Sequence, residues 1–109
     1  MTASAQDIRL DPASVHPALS GLVAGIAALG ARRILLYGSR ARGDHAPRSD
    51  IDIAVDAPDL PEKIWGRIED LAEEADTLYK IDCVWLQKTP QSLSENILRD
   101  GKVLYERPA

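Results

Sequence analysis

Between Val15 and Gly30 the apolar residues recur at helical spacing, with Leu19, Leu22, Val23 and Ile26 on one face and Ala27 and Leu29 beside it. Pro17 suits the first turn of such a helix, and Gly30 supplies a stop. Gly21 and Gly25 weaken it by about 1 kcal/mol each relative to Ala, unless packing needs them small. The period then shortens. Arg33 to Tyr37 (RILLY) reads as a short strand that ends on Gly38-Ser39, and Ser39 opens a short helical turn. From Asp50 to Asp56 (DIDIAVD) the side chains alternate, with Ile51, Ile53 and Val55 facing a core. Asp56 falls where this strand gives way to Pro58 and reads as a turn residue. Asp59-Leu60-Pro61 looks like a helix entry. The helix runs to about Ala75, with Ile64, Ile68, Leu71, Ala72 and Ala75 inward and Glu69, Asp70, Glu73 and Glu74 outward. Leu78 to Leu86 (LYKIDCVWL) reads as a third strand, apolar enough to be fully buried. Ser92 and Glu95 match a capping box for a last helix, stopped by Gly101, and Val103-Leu104-Tyr105 suits an edge strand.

These alternations give an α/β (α+β) fold, a small mixed sheet with helices packed on it. With 109 residues, 45% of them hydrophobic, the chain is expected to form one domain over 1–109. A domain of that size buries roughly 65% of its unfolded surface, enough for one core. Met1 to Leu10 is polar and without period, and is expected to fray. Phe is absent, which leaves aromatic packing to Trp65, Trp85 and three tyrosines. Cys83 is the single cysteine, so no intrachain disulfide is possible, and in its apolar run it reads as a small buried hydrophobe. There is no signal-like start and no membrane-length apolar run, so a cytoplasmic protein without a membrane role is expected. A net charge of -4 argues against gripping a long nucleic acid.

The chemistry concentrates between Ile34 and Val55. Asp50 and Asp52, two apart on one strand, share a side at a spacing of about 6.5–7 Å. Carboxylates leaning together across that gap suit divalent ions, which in two-metal phosphoryl-transfer sites stand about 3.5–4 Å apart. Unpaired burial of two such acids would be costly, so they are either exposed or hold a cation. Gly38 permits close approach to the backbone, and free N–H groups at the start of a helical turn seat phosphate. Arg32, Arg33, Arg40, Arg42 and Arg48 crowd the same stretch, either as a solvated surface or as partners of a small polyanion such as a nucleoside triphosphate. Asp82, in the middle of the third strand, is expensive there without a partner. Next to the Asp50–Asp52 strand it becomes a third carboxylate of one cluster; otherwise it is a structural aspartate. His45 reads as a solvated loop residue and Trp65 as packing.

Taken together, Gly38-Ser39, ten intervening residues, Asp50-Ile51-Asp52 and the later Ile81-Asp82-Cys83 resemble the signature of the polymerase-β-type nucleotidyltransferase superfamily. More narrowly, GSRARGDHAPRSDIDIAV is similar to the minimal nucleotidyltransferase (MNT) proteins, antitoxins paired with HEPN-domain toxins. The resemblance implies the polymerase-β-like fold, an ATP substrate and two Mg²⁺ ions. It implies that Gly38 and Ser39 hold the triphosphate and that Arg40 and Arg42 neutralise phosphate charge. It also makes Asp50, Asp52 and Asp82 the metal ligands, with Asp82 helping to deprotonate the attacking hydroxyl. The implied reaction places AMP on a tyrosine of the partner HEPN ribonuclease. Two other readings stay open: an antitoxin that only occludes its toxin, and transfer to a small molecule. The missing acceptor domain weighs against the latter.

Overall fold

A computed structural model describes residues 9–108. The expected fraying at the N-terminus falls mainly on 1–8, outside the described residues. Arg9 and Leu10, by contrast, are already tied to the sheet: Arg9 bridges Val103, and the Leu10 N–H donates to the Val103 carbonyl at 2.7 Å.

A one-turn helix α1 (Pro12–Val15) leads into α2 (Pro17–Ala28). Strand β1 (Arg33–Tyr37) passes directly into a five-residue helix α3 (Gly38–Arg42), and β2 (Ile51–Asp56) returns antiparallel beside β1. Helix α4 (Glu62–Glu74) crosses over to β3 (Ile81–Trp85), parallel to β2. A 3-10 turn at Leu86–Lys88, helix α5 (Gln91–Asp100) and β4 (Lys102–Glu106) complete the chain. The sheet order is β3-β2-β1-β4, mixed as expected.

Alternation along the strands divides the core in two. Ile34, Leu36, Ile51, Ile53 and Val55 face α2 and α4, while Leu35, Ala54 and Val103 face Ile97 of α5. Val103 and Leu104 are buried on opposite sides by alternation, and a register shift between Ile34 and Leu35 makes Leu104 an extra residue in β4 that packs with Tyr105 on the α2 and α4 side. Gly25 packs closely, since a Cβ there would stand 3.2 Å from the Leu71 side chain, which would have to shift by a few tenths of an ångström.

Four local expectations are corrected. The third strand starts only at Ile81, and Leu78 is fully exposed in the preceding turn. β3 is an outer strand rather than a buried one, which leaves Asp82 exposed and removes the cost that burial would have imposed. Ser92 does not cap α5: Pro90 occupies the cap without a side-chain hydrogen bond, and Gln91 rather than Ser92 reaches Glu95, at 3.0 Å. Asp56 is not a turn residue but the last residue of β2, with no exposed surface.

Candidate active site

The backbone register assembles the acidic cluster. Asp52 pairs across β2–β3 with Asp82, and across β1–β2 with Tyr37, so all three side chains leave one side of the sheet. Helix α5 packs on that side through Ile97 and Leu93, over Leu35 and Ala54. Asp50 stands one residue before β2, so it belongs to the loop end and not to the strand.

Gly38 makes the bend close on this cluster. Its φ of 72° is left-handed, and a Cβ there would fall 2.5 Å from Asp52 Oδ2. Only glycine lets the turn into α3 come this near to the carboxylate. Ser39 follows within α3, where its carbonyl accepts from the Gly43 and Asp44 N–H groups at 2.9 and 3.1 Å.

Electrostatics mark the same place. Burial raises the Asp52 pKa above the usual carboxylate value, and the charges of Asp82 and Asp50 raise it further, against a lowering pull from Lys80 and Arg40. Tyr37 is pushed up to about 12 by burial first, then by Asp52, Asp82 and Cys83, so it stays a neutral phenol. This tyrosine escaped the sequence reading, although the last residue of a strand that ends on Gly-Ser was the available signal.

The arginines divide. Arg40 donates to the Ser49 carbonyl at 2.9 Å through Nη2, and its guanidinium lies 4.8 Å from the centre of the Tyr79 ring. It thereby ties the 43–50 loop to α3 and to the turn before β3, while its charge still reaches Asp52. Arg42 points to Asp44 at 3.3 Å on an exposed surface. Arg32 and Arg33 lie at the opposite end of β1, each 2.9 Å from Asp56 Oδ2, so the five arginines do not form one cluster. His45 is exposed, and Trp65 stacks on Trp85 with ring centres 5.4 Å apart, both as expected.

Whether the residues fit a divalent cation can be judged from their donors. Asp50, Asp52 and Asp82 offer oxygen only, the set that suits Mg²⁺. Their mutual repulsion at Asp52 is what a cation would relieve. Among the described residues, however, no three His, Cys, Asp or Glu side chains converge closely enough to hold an ion as they lie. Asp50 and Asp82 are the exposed members, and their side chains are the ones that must turn toward Asp52.

A mixed sheet whose adjacent strands present carboxylates to a Gly-Ser bend defines a phosphoryl-transfer domain. The family follows from comparison: a model described as Polymerase beta, Nucleotidyltransferase matches residues 30–109, and the chain belongs to that family of nucleotidyltransferases. It is 32% identical over 84 residues to a candidate protein adenylyltransferase of Methanocaldococcus jannaschii, covering 68% of this chain and 78% of that one. Its fold is similar, with a TM-score of 0.62 and 27% identity, to a chain of a toxin–antitoxin crystal structure with AMP-PNP, covering 80% of this chain and 73% of the other. A chain from the complex of tri-AMPylated Shewanella oneidensis HEPN toxin with MNT antitoxin aligns with a TM-score of 0.59 at 24% identity, over 88% of this chain and 73% of the other; at that identity the likeness is one of fold. No helix among the described residues is long and apolar enough to cross a membrane.

Proposed function

We propose that this protein is an antitoxin of the MNT type that transfers AMP from ATP to a tyrosine of a cognate HEPN ribonuclease toxin. The observation that supports this most is the register that sets Asp52 beside Asp82 with Gly38 against the Asp52 carboxylate. The toxin–antitoxin relatives make a HEPN protein the natural acceptor.

In this reading Gly38 and Ser39 seat the triphosphate through backbone N–H groups at the start of α3. Arg40 and Arg42 offset its charge, Arg40 from a position already fixed by Ser49 and Tyr79. Asp50, Asp52 and Asp82 are the residues that would hold Mg²⁺, which when bound draws charge from the attacking and leaving oxygens. The tyrosine oxygen forms its bond to the α-phosphorus in line with the bond that breaks. Pyrophosphate leaves with the electron pair of that bond, and Asp82, exposed to solvent, takes the phenol proton and passes it to water. The rest of the rate comes from holding the two reactants in line.

A test mixes purified HEPN toxin, ATP and Mg²⁺ with this protein or its Asp52→Asn variant, and reads intact toxin mass and ribonuclease activity. An AMP-sized gain only with the unaltered protein supports transfer. Equal toxin inhibition by both, with no gain in mass, replaces it with occlusion.

A further inference from the structure

The two outer strands of the sheet are treated differently. β4 receives Arg9 and Leu10 along its outer side. Beyond β3 no strand follows among the described residues. In β3 the Lys80 carbonyl accepts from the Ile51 N–H at 2.9 Å, so the backbone groups of Lys80 and Asp82 point toward β2. By alternation the N–H and C=O groups of Ile81 and Cys83 point outward, where another strand can pair with them.

What flanks this edge is acidic and apolar. On the α4 side a cavity of about 390 Å³ is lined by Glu69, Ala72, Glu73, Lys80, Asp82 and Cys83, among others, with three carboxylates to one amine. Along the C-terminal half of the strand a second groove of about 600 Å³ is lined by Trp65, Trp85, Pro90 and Leu93, with Lys88 lying 5.4 Å from the centre of the Trp85 ring and paired with Glu62.

We propose that the free edge of β3 docks the acceptor protein, which adds an extended basic segment beside Ile81 and Cys83 and thereby brings its hydroxyl to Asp82. This rests on the transfer reading above and names the surface that reading needs. A segment paired along β3 lies one strand spacing, about 4.8 Å, from it, and the residue abreast of Asp82 shares its side of the sheet. Glu69 and Glu73 select positive charge, and the tryptophan groove takes an apolar residue further along. This edge runs straight into the acidic cluster, since Asp82 lies between Ile81 and Cys83 and pairs with Asp52.

The test uses full-length protein, a co-expressed HEPN-domain protein as acceptor, and AMP-PNP as the nucleotide probe. Glu69→Lys with Glu73→Lys, both exposed, is expected to lower kcat/KM for AMP transfer about tenfold while leaving the Kd for AMP-PNP unchanged. Cys83→Pro, which removes an outward N–H on an outer strand where proline is tolerated, is expected to do the same, with thermal unfolding run alongside to separate the loss of Cys83 packing. Amide exchange read by NMR is expected to slow about tenfold at Ile81 and Cys83 when the acceptor is added. Protection of these amides without any transfer by the unaltered protein supports the docking edge while the transfer reading fails. Unchanged transfer in the charge-reversed variant together with unchanged exchange overturns the proposal. So does concentration-dependent protection in the absence of acceptor, which gives the edge to a second copy of the chain.

Discussion

Asp52 and Asp56 stand on the same side of the same strand, and their surroundings are opposite. Asp56 has no exposed surface and both of its carboxylate oxygens are engaged: Arg32 and Arg33 donate to Oδ2 at 2.9 Å each, and Gln87 donates to Oδ1 at 2.6 Å. Burial alone would raise its pKa, but the bonds from Gln87, Arg32 and Arg33 more than offset that and hold it below the usual value. Asp52 meets burial and two more carboxylates, and its pKa rises. One end of the strand is closed with cations and amides for stability. The other carries a carboxylate crowded by two more, a repulsion that Lys80 and Arg40 offset only in part, as is common for candidate catalytic carboxylates.

The largest effect expected from breaking this contrast is on stability, at Asp56. Asp56→Ala removes the ion pairs to Arg32 and to Arg33, whose side chain is only 19% exposed, and frees the Gln87 amide. Loss of a buried pair typically costs about 3–5 kcal/mol, and the half-exposed Arg32 puts this one near about 3 kcal/mol. Thermal unfolding should show Tm lowered by at least about 10 °C. No measurable drop would mean that the closed end contributes nothing.

Next comes Gly38→Ala, which meets both a left-handed φ and the Asp52 carboxylate. AMP transfer should fall about 100-fold, the usual consequence of displacing a reacting group by about 1 Å. Gly43→Ala sharpens the comparison. Its φ of 84° is equally left-handed, yet nothing lies within 4 Å of the added Cβ, so only strain, of about 1 kcal/mol, should register and transfer should persist.

The smallest effect separates the two aspartates by pH. Asp56, with its lowered pKa, contributes stability that is complete above pH 3.8 and is lost as pH falls through its folded-state value below that. Asp52 runs the other way: its raised pKa favours the protonated folded state, and that contribution disappears as pH climbs through the folded value. Asp52→Asn should therefore raise Tm at neutral pH by about 1–2 °C without metal, whereas Asp56→Asn should flatten the acid limb of the melting profile. Melts across pH 2–8 decide both.

Most of the fold was legible because strand and helix periods are local. β1 and the start of α2 fall where alternation and Pro17 place them. The site was legible as spacing, since Gly38-Ser39, Asp52 and Asp82 are each marked by residue type. Less legible was everything decided between elements. That β3 lies at the rim of the sheet, so that Asp82 is wet, depends on strand order, which no local pattern encodes. The partners of Asp56 come from β1 and from the turn after β3, at separations of 23 to 31 residues, and so its role could not be read from its neighbours. Arg40 looked free for phosphate because Tyr79 lies far along the chain.

The strap that Arg9 and Leu10 place over β4 sets a limit on assembly. At Val103 the β4 border is taken by the chain's own Arg9 and Leu10, whereas β3 meets no further strand among the described residues, so a strand from another molecule finds its longer open run at β3. Growth of one sheet into the next would need both borders, and the strap interrupts one of them.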